Sequence, residues 1–212
     1  MIASVDGGTA IGGRSGGLGG PGDKAVFRAL RATADVVLVG AGTARDENYG
    51  AIALDETTRS QRRASGRAAV PRLALVSGRL DLDPASPMFA SAAEPPLVFT
   101  VRTALDQATP ELTAVAELVE AGEGRVDLSV VVDELHRRGA GVVLVEGGPS
   151  INGQLVAAGL IDEWCLSVAP MLVAGDSARV AHGPGPDTPQ RLALHRVLEE
   201  DGYLFVTYRR AR

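Results

Sequence analysis

"VVLVEGGPSINGQLVAAGL", residues 142–160, runs from an apolar segment through a carboxylate, two glycines and a proline into what reads as a short helix. A run of Val and Leu with no polar break is the pattern of a strand covered on both faces, as in a largely parallel sheet. Pro149 and Ser150 suit the opening of a helix and Gly159 suits its end. The strand therefore stops at Glu146, and a helix starts two glycines later. Ligands of open α/β sheets bind beyond the carboxyl ends of strands, so this junction bears on both fold and function.

The same run recurs as "VVLVGAGTAR", residues 36–45. Further apolar runs predict strands over Ile2–Val5, Asp35–Val39, Arg72–Val76, Leu97–Thr100, Gly141–Val145, Glu163–Val168 and Tyr203–Tyr208. Asp23 is placed to cap a helix reaching about Ala34, with Val26, Leu30 and Ala34 on one face. Glu111–Ala121 reads as a helix stopped by Gly122. Leu128, Val131, Val132 and Leu135 have helical spacing, and Gly139 ends that segment. Ala51–Val70 and His182–Gln190 read as polar or Pro/Gly-rich loops, neither of them a linker. Strands alternating with helices imply an α/β fold, here a single domain over residues 1–212.

Composition narrows the function. Of the 212 residues 45% are hydrophobic but only 4% aromatic, so the core is aliphatic. A net charge of −5 argues against a nucleic-acid partner. The basic cluster Arg59, Arg62, Arg63 and Arg67 lies in a polar stretch and reads as a solvated loop. The single cysteine, Cys165, sits in the apolar run "EWCLSVAP" and is expected to be a buried core thiol. It allows no internal disulfide, which fits a reducing cytoplasm. His136, His182 and His195 lack ligand spacing, so no metal is expected. No apolar run approaches the ~18 residues of a membrane helix, and no secretory signal pattern opens the chain.

Two strand ends are rich in glycine. At the second, backbone N–H groups from Gly147 to Ile151 open a helix, and glycine lets a phosphate approach them closely. A tight turn would use the same residues. At the first, "GAGTAR" begins like a Rossmann fingerprint but has Arg45 where the third glycine belongs. The next strand ends in "SGR", Ser77 to Arg79, with no acidic residue to hold a ribose 2′-hydroxyl. A hydroxyl beside an arginine could receive a 2′-phosphate, which favours NADPH over NADH; an ordinary turn is the alternative.

"ASVDGGTAIGGRSG" (3–16), "FRALRATADVVLVGAGTARDE" (27–47) and "LVEGGPSINGQLVAAGLIDEWCLSVAPMLV" (144–173) together resemble the reductase domain of riboflavin biosynthesis. These are the 5-amino-6-(5-phosphoribosylamino)uracil reductases, and the resemblance runs from residue 2 to about 209. It implies a dihydrofolate reductase-like three-layer α/β fold. In that fold a mostly parallel central sheet is flanked by helices and carries an antiparallel C-terminal strand. It also implies an NADPH enzyme that delivers hydride to C1′ of a ribosylaminopyrimidine phosphate, and a homodimer. By the same resemblance Ala3 lies beside the nicotinamide. Gly17, Gly40, Gly42 and Thr43 face the cofactor, with Thr43 on its phosphates. Ser77 and Arg79 take the adenosine side, and Gly147, Gly148, Pro149, Ser150, Ile151 and Asn152 wrap the pyrophosphate. Ser15, Arg31 and Glu146 match substrate positions, where a carboxylate could accept pyrimidine N–H groups and an arginine fork could hold a ribose phosphate. Glu47 is the candidate for handling a proton.

The chain departs from the family pattern after "GAGTAR". The usual D-x-P-x-L-T-x-R arm supplies an arginine for the substrate phosphate; here the text is "RDENYGAIALDETTR", residues 45–59. Glu47 stands for the first carboxylate, the proline is missing, and Leu54 falls where the arginine belongs. Gly17 replaces an aromatic residue. Met1 falls inside the first strand motif, so the natural chain is expected to extend upstream. The zinc deaminase signatures often fused to this domain are absent from the sequence. Two alternatives stay open: reduction of a pterin such as dihydrofolate, and a nucleotide-binding domain without chemistry. A Rossmann dehydrogenase fits less well.

Overall fold

A computed structural model describes residues 1–211. In chain order the elements are β1 (Ile2–Ser4), α1 (Pro21–Thr33), β2 (Val36–Gly40), α2 (Ala41–Asp46), α3 (Glu56–Ala64), β3 (Arg72–Val76), α4 (Pro87–Ala90) and β4 (Leu97–Thr100). They continue with α5 (Arg102–Leu105), α6 (Pro110–Val115), β5 (Glu117–Glu120), α7 (Leu128–Arg137), β6 (Val143–Val145), α8 (Pro149–Ala157), β7 (Glu163–Ala169), β8 (Leu192–Glu200) and β9 (Tyr203–Arg210). The chain forms two compact units. One is Arg28–Glu146; the other combines Met1–Phe27 with Gly147–Arg212.

The Arg28–Glu146 unit holds a five-stranded sheet in the order β5-β4-β3-β2-β6, parallel throughout. Parallel strands need crossovers and cover on both faces, and the burial follows. Val37, Val39, Leu73, Leu75 and Val98 pack on one side with Met88, Phe89 and Leu112. Their neighbours along the strands, Leu38, Ala74, Leu97 and Phe99, face the other side by alternation and are equally buried. The "VVLV" of residues 142–145 departs from the expectation of burial on both faces. It belongs to β6, last in the strand order, where Val143–Val145 are half-buried and Val142 is exposed.

Three further expectations are corrected in this unit, and a fourth at the start of α1. The helix expected over Glu111–Ala121 is the short α6, capped by Thr109 and opened by Pro110. It ends because Ala116 turns extended and Glu117 donates its N–H to the Pro96 carbonyl, starting β5 beside β4. The stretch expected as a polar loop contains α3, whose Asp55 cap accepts from Thr58 N. Its Arg62 is not solvated: the side chain is fully buried, Nε donating to the Ala68 carbonyl at 2.8 Å and Nη1 to the carbonyls of Ala32 and Ala34 at 2.8 and 2.7 Å. Arg62 thereby satisfies carbonyls left over at the end of α1. Asp23, expected as the cap of α1, lies inside its first turn, because Pro21 opens the helix.

The other unit holds a four-stranded sheet, β1-β7-β9-β8, with β1 parallel to β7 and the remaining pairs antiparallel. β8 had no sequence forecast, since its residues are nearly all exposed. Asp201 and Gly202 join it to β9, both with positive φ (52° and 79°), the geometry of a type I′ hairpin turn. Cys165 is half-buried rather than a core thiol; burial pushes its pKa up, and its Sγ lies 3.6 Å from Glu163.

Replacing Arg62 by Ala should destabilise the protein by about 2–4 kcal/mol, because three carbonyls lose a charged donor in a buried place. Denaturant unfolding of the two proteins checks this, and a loss below about 0.5 kcal/mol would show the carbonyls to be rehydrated at no cost.

Candidate functional site

In the Arg28–Glu146 unit the carboxyl ends of β2, β3 and β6 carry the residues expected there. Gly40 ends β2 and is the extended N-cap of α2, with no side-chain cap; Gly42 and Thr43 lie in that helix. A Cβ added to Gly42 would meet nothing within 4 Å, so the surface above it is open. Ser77 follows β3 and is buried, its Oγ accepting from Leu80 N at 3.1 Å, while Arg79 is exposed in the same turn. The hydroxyl thus organises the turn and keeps its own proton to donate. Glu47 is the half-buried C-cap of α2.

Glu146 directly follows β6, its N–H donating to the Leu38 carbonyl. Arg31 and Glu146, expected separately at a ligand, are paired with each other. Arg31 Nε donates to Oε1 at 2.7 Å and Nη2 to Oε2 at 2.6 Å, the bidentate fork of a strong ion pair. Tyr49 adds a third donor, its hydroxyl reaching Oε2 at 2.7 Å, and its ring lies 5.6 Å from the guanidinium carbon. The Glu146 side chain is only 2% exposed. Burial first, and then the neighbouring carboxylate, push the Tyr49 phenol above its ordinary value, so it serves as a hydrogen-bond donor and not as an acid. Sequence reasoning missed Tyr49. Its one signal was its place, two residues after Glu47, where the family arm has proline.

In the other unit Gly147 and Gly148 are buried and joined by a cis peptide, and Gly147 has φ +98°. Gly148 is the N-cap of α8 and offers no side chain to its first amides. Ile151 and Asn152 are buried in that helix, Pro149 opens it and Ser150 is exposed. The first turn therefore presents N–H groups that no side chain caps, a place suited to an anion. Ser15 and Gly17 lie in a short 3₁₀ turn, where a Cβ on Gly17 would press on Ile11 at 3.3 Å.

Ala3, on β1 opposite Val168, lines a cavity of about 550 Å³ with Ser4, Asp6, Leu166, Val168 and Arg179. Such a volume falls within the range of small-molecule pockets. Its carboxylate is committed: Asp6 accepts from Ser4 Oγ and from the N–H groups of Val173 and Ala174. Those bonds, the one from Ser4 foremost, hold its pKa down to about 2. Among the described residues no group of His, Cys, Asp and Glu has the arrangement of a metal site, and no helix is long and apolar enough to cross a membrane.

Comparison with known proteins identifies the family and the fold. The RibD C-terminal domain family matches residues 1–202. The 2,5-diamino-6-ribosylamino-4(3H)-pyrimidinone 5′-phosphate reductase of Archaeoglobus fulgidus is 30% identical over 162 residues, spanning 76% of this chain and 74% of that protein. The structure of a pyrimidine reductase-like protein from Corynebacterium diphtheriae is similar with a TM-score of 0.89 and 30% identity, covering 100% of this chain and 90% of that one. Dihydrofolate reductase from Enterococcus faecalis, solved with NADP(H), shares the fold alone: TM-score 0.54 at 11% identity, covering 100% of this chain and 94% of that one. With nearly its whole length matched, the chain belongs to the RibD C-terminal domain family.

Proposed function

We propose that this chain is an NADPH-dependent reductase of the riboflavin-biosynthesis type, working as a single reductase domain. Its substrate on this reading is a ribosylaminopyrimidine phosphate such as 5-amino-6-(5-phosphoribosylamino)uracil, with reduction at C1′. The observation that carries the reading is the buried glycine pair opening α8 without a side-chain cap. That start, with Gly147 to Asn152, is assigned to the pyrophosphate, and Thr43 in α2 is assigned to the cofactor by the family resemblance. Ala3 would face the nicotinamide across its cavity, while Ser77 and Arg79 would meet the adenosine end. When bound, the dinucleotide supplies a hydride. The chain supplies placement, which is most of what hydride transfer needs.

Glu146 is assigned to the pyrimidine. Its Oε1 carries one hydrogen bond among the described residues and has capacity for a second donor. Because the side chain is buried, a ring N–H reaches it only as Arg31 or Tyr49 yields. Ser15 and Arg31 complete the substrate side, and Glu47 is assigned to proton handling. A pterin is the second reading, favoured by Leu54 in place of the arm's arginine. The reading also places the protein in the cytoplasm, consistent with its single cysteine.

NADPH should bind more tightly than NADH by roughly 1.5–3 kcal/mol, one charge-assisted hydrogen bond to the 2′-phosphate. That is on the order of ten- to a hundredfold. Equal affinities in a fluorescence titration would refute it. A homodimer is expected, supported by the apolar side chains of Leu172, Leu194, Val197 and Leu198, all at least 48% exposed. A monomer in light scattering at micromolar concentration would contradict this.

Two variants separate the cofactor side from the substrate side. Gly148→Val should abolish NADPH binding while circular dichroism stays native. Glu146→Gln should leave NADPH binding nearly intact but raise the KM for the pyrimidine, at roughly 1–3 kcal/mol for each donor left unpaired. Kinetics run in parallel on the phosphoribosylaminouracil and dihydrofolate decide between the two substrates. If Glu146→Gln loses cofactor and substrate equally, the carboxylate organises the turn and its assignment to the substrate is wrong.

A further inference from the structure

We propose that Arg179 is a phosphate-binding residue at the mouth of the cavity beside Ala3. The proposal rests on the reading of the chain as a dinucleotide-dependent reductase and deepens it, since none of the residues assigned above includes this arginine.

The backbone that carries Arg179 is held on both sides. Ser177 Oγ accepts from Thr9 N at 2.9 Å and Ala10 N at 3.2 Å, and Thr9 Oγ1 donates to the Ala178 carbonyl at 2.8 Å. Beyond it, Asn152 Nδ2 donates to the Val180 carbonyl at 2.7 Å, and His182 N donates to the Pro149 carbonyl at 2.9 Å. Asn152 and Pro149 belong to α8, so this loop is fastened to the helix whose first amides are uncapped. A fixed backbone lowers the ordering cost of bringing a guanidinium to a ligand.

The side chain itself is exposed, lines the cavity, and enters no hydrogen bond or ion pair among the described residues. Asp6, the carboxylate of the same cavity, makes its hydrogen bonds with Ser4, Val173 and Ala174 and forms no ion pair with Arg179 among the described residues. A guanidinium fork matches two oxygens of a phosphate. The phosphate can come from the dinucleotide's pyrophosphate or from the 5′-phosphate of the substrate.

The test titrates NADPH, by fluorescence, into the wild type, Arg179→Gln and Arg179→Lys. It also measures KM for the ribosylaminopyrimidine with and without its 5′-phosphate. Arg179→Gln is expected to weaken NADPH at least tenfold and to flatten the salt dependence of binding, with Arg179→Lys recovering part of the loss. If NADPH binding is unchanged but KM rises at least tenfold for the phosphorylated substrate alone, the proposal holds with the substrate as the source. If neither quantity changes while the wild type binds NADPH, the proposal is overturned and the reductase reading stands. If the wild type neither binds NADPH nor turns over either substrate, the reductase reading fails and takes the proposal with it.

Discussion

A parallel strand has to be covered on both faces, and the chain has to cross over before the next one begins. Residues 36–145 place five strands, β2 to β6, all running the same way and joined by four crossovers, with the three inner strands β2, β3 and β4 the most deeply covered. Every carboxyl end then falls at one side of the sheet. Gly40, Ser77 and Glu146, far apart in sequence, become neighbours in strand order for this reason alone. Fully buried Val37, Leu38, Leu75 and Val98 anchor the strands, so the loops above them can carry glycine and polar residues without loss of the fold.

Glu146 illustrates how such an end is used. A carboxylate taken out of water is costly, and the charge survives burial only with full pairing. Arg31 supplies a fork and Tyr49 a hydroxyl, which together occupy three of the acceptor positions. Breaking one partner leaves a buried charge short of donors, so the three residues behave as one unit.

Much of this was legible in the sequence. The strands of the parallel sheet announce themselves by unbroken apolar runs, and Arg72–Val76 and Leu97–Thr100 agree residue for residue with the structure. The Pro149 start of α8 and the positive φ of Gly159 just beyond its end follow from backbone rules that need no tertiary context. What escaped depends on partners distant in sequence. α3 has almost no apolar residues, because its buried contact is the guanidinium of Arg62. β5 is four residues long and only half-buried, so its apolar pattern merges with that of the helix before it. β8 is exposed along its length; the Asp201–Gly202 dipeptide was the one local sign of the hairpin. The ion pair of Arg31 with Glu146 and the role of Tyr49 could not be read from residue types, since both arise from side chains brought together by the fold.

Gly153 has a consequence for how this chain can change over time. A Cβ there would collide with the backbone of His182, so helix and loop meet main chain to main chain. Further on, Gln190 Nε2 donates to the Val156 carbonyl, again on α8. The segment 183–190 is therefore strung between two moorings on one helix, and its residues are mostly exposed. Lengthening such a span costs little loop-closure entropy. A change of length within 183–190 is therefore expected to be cheap, whereas one within 177–182 would unseat the loop from α8.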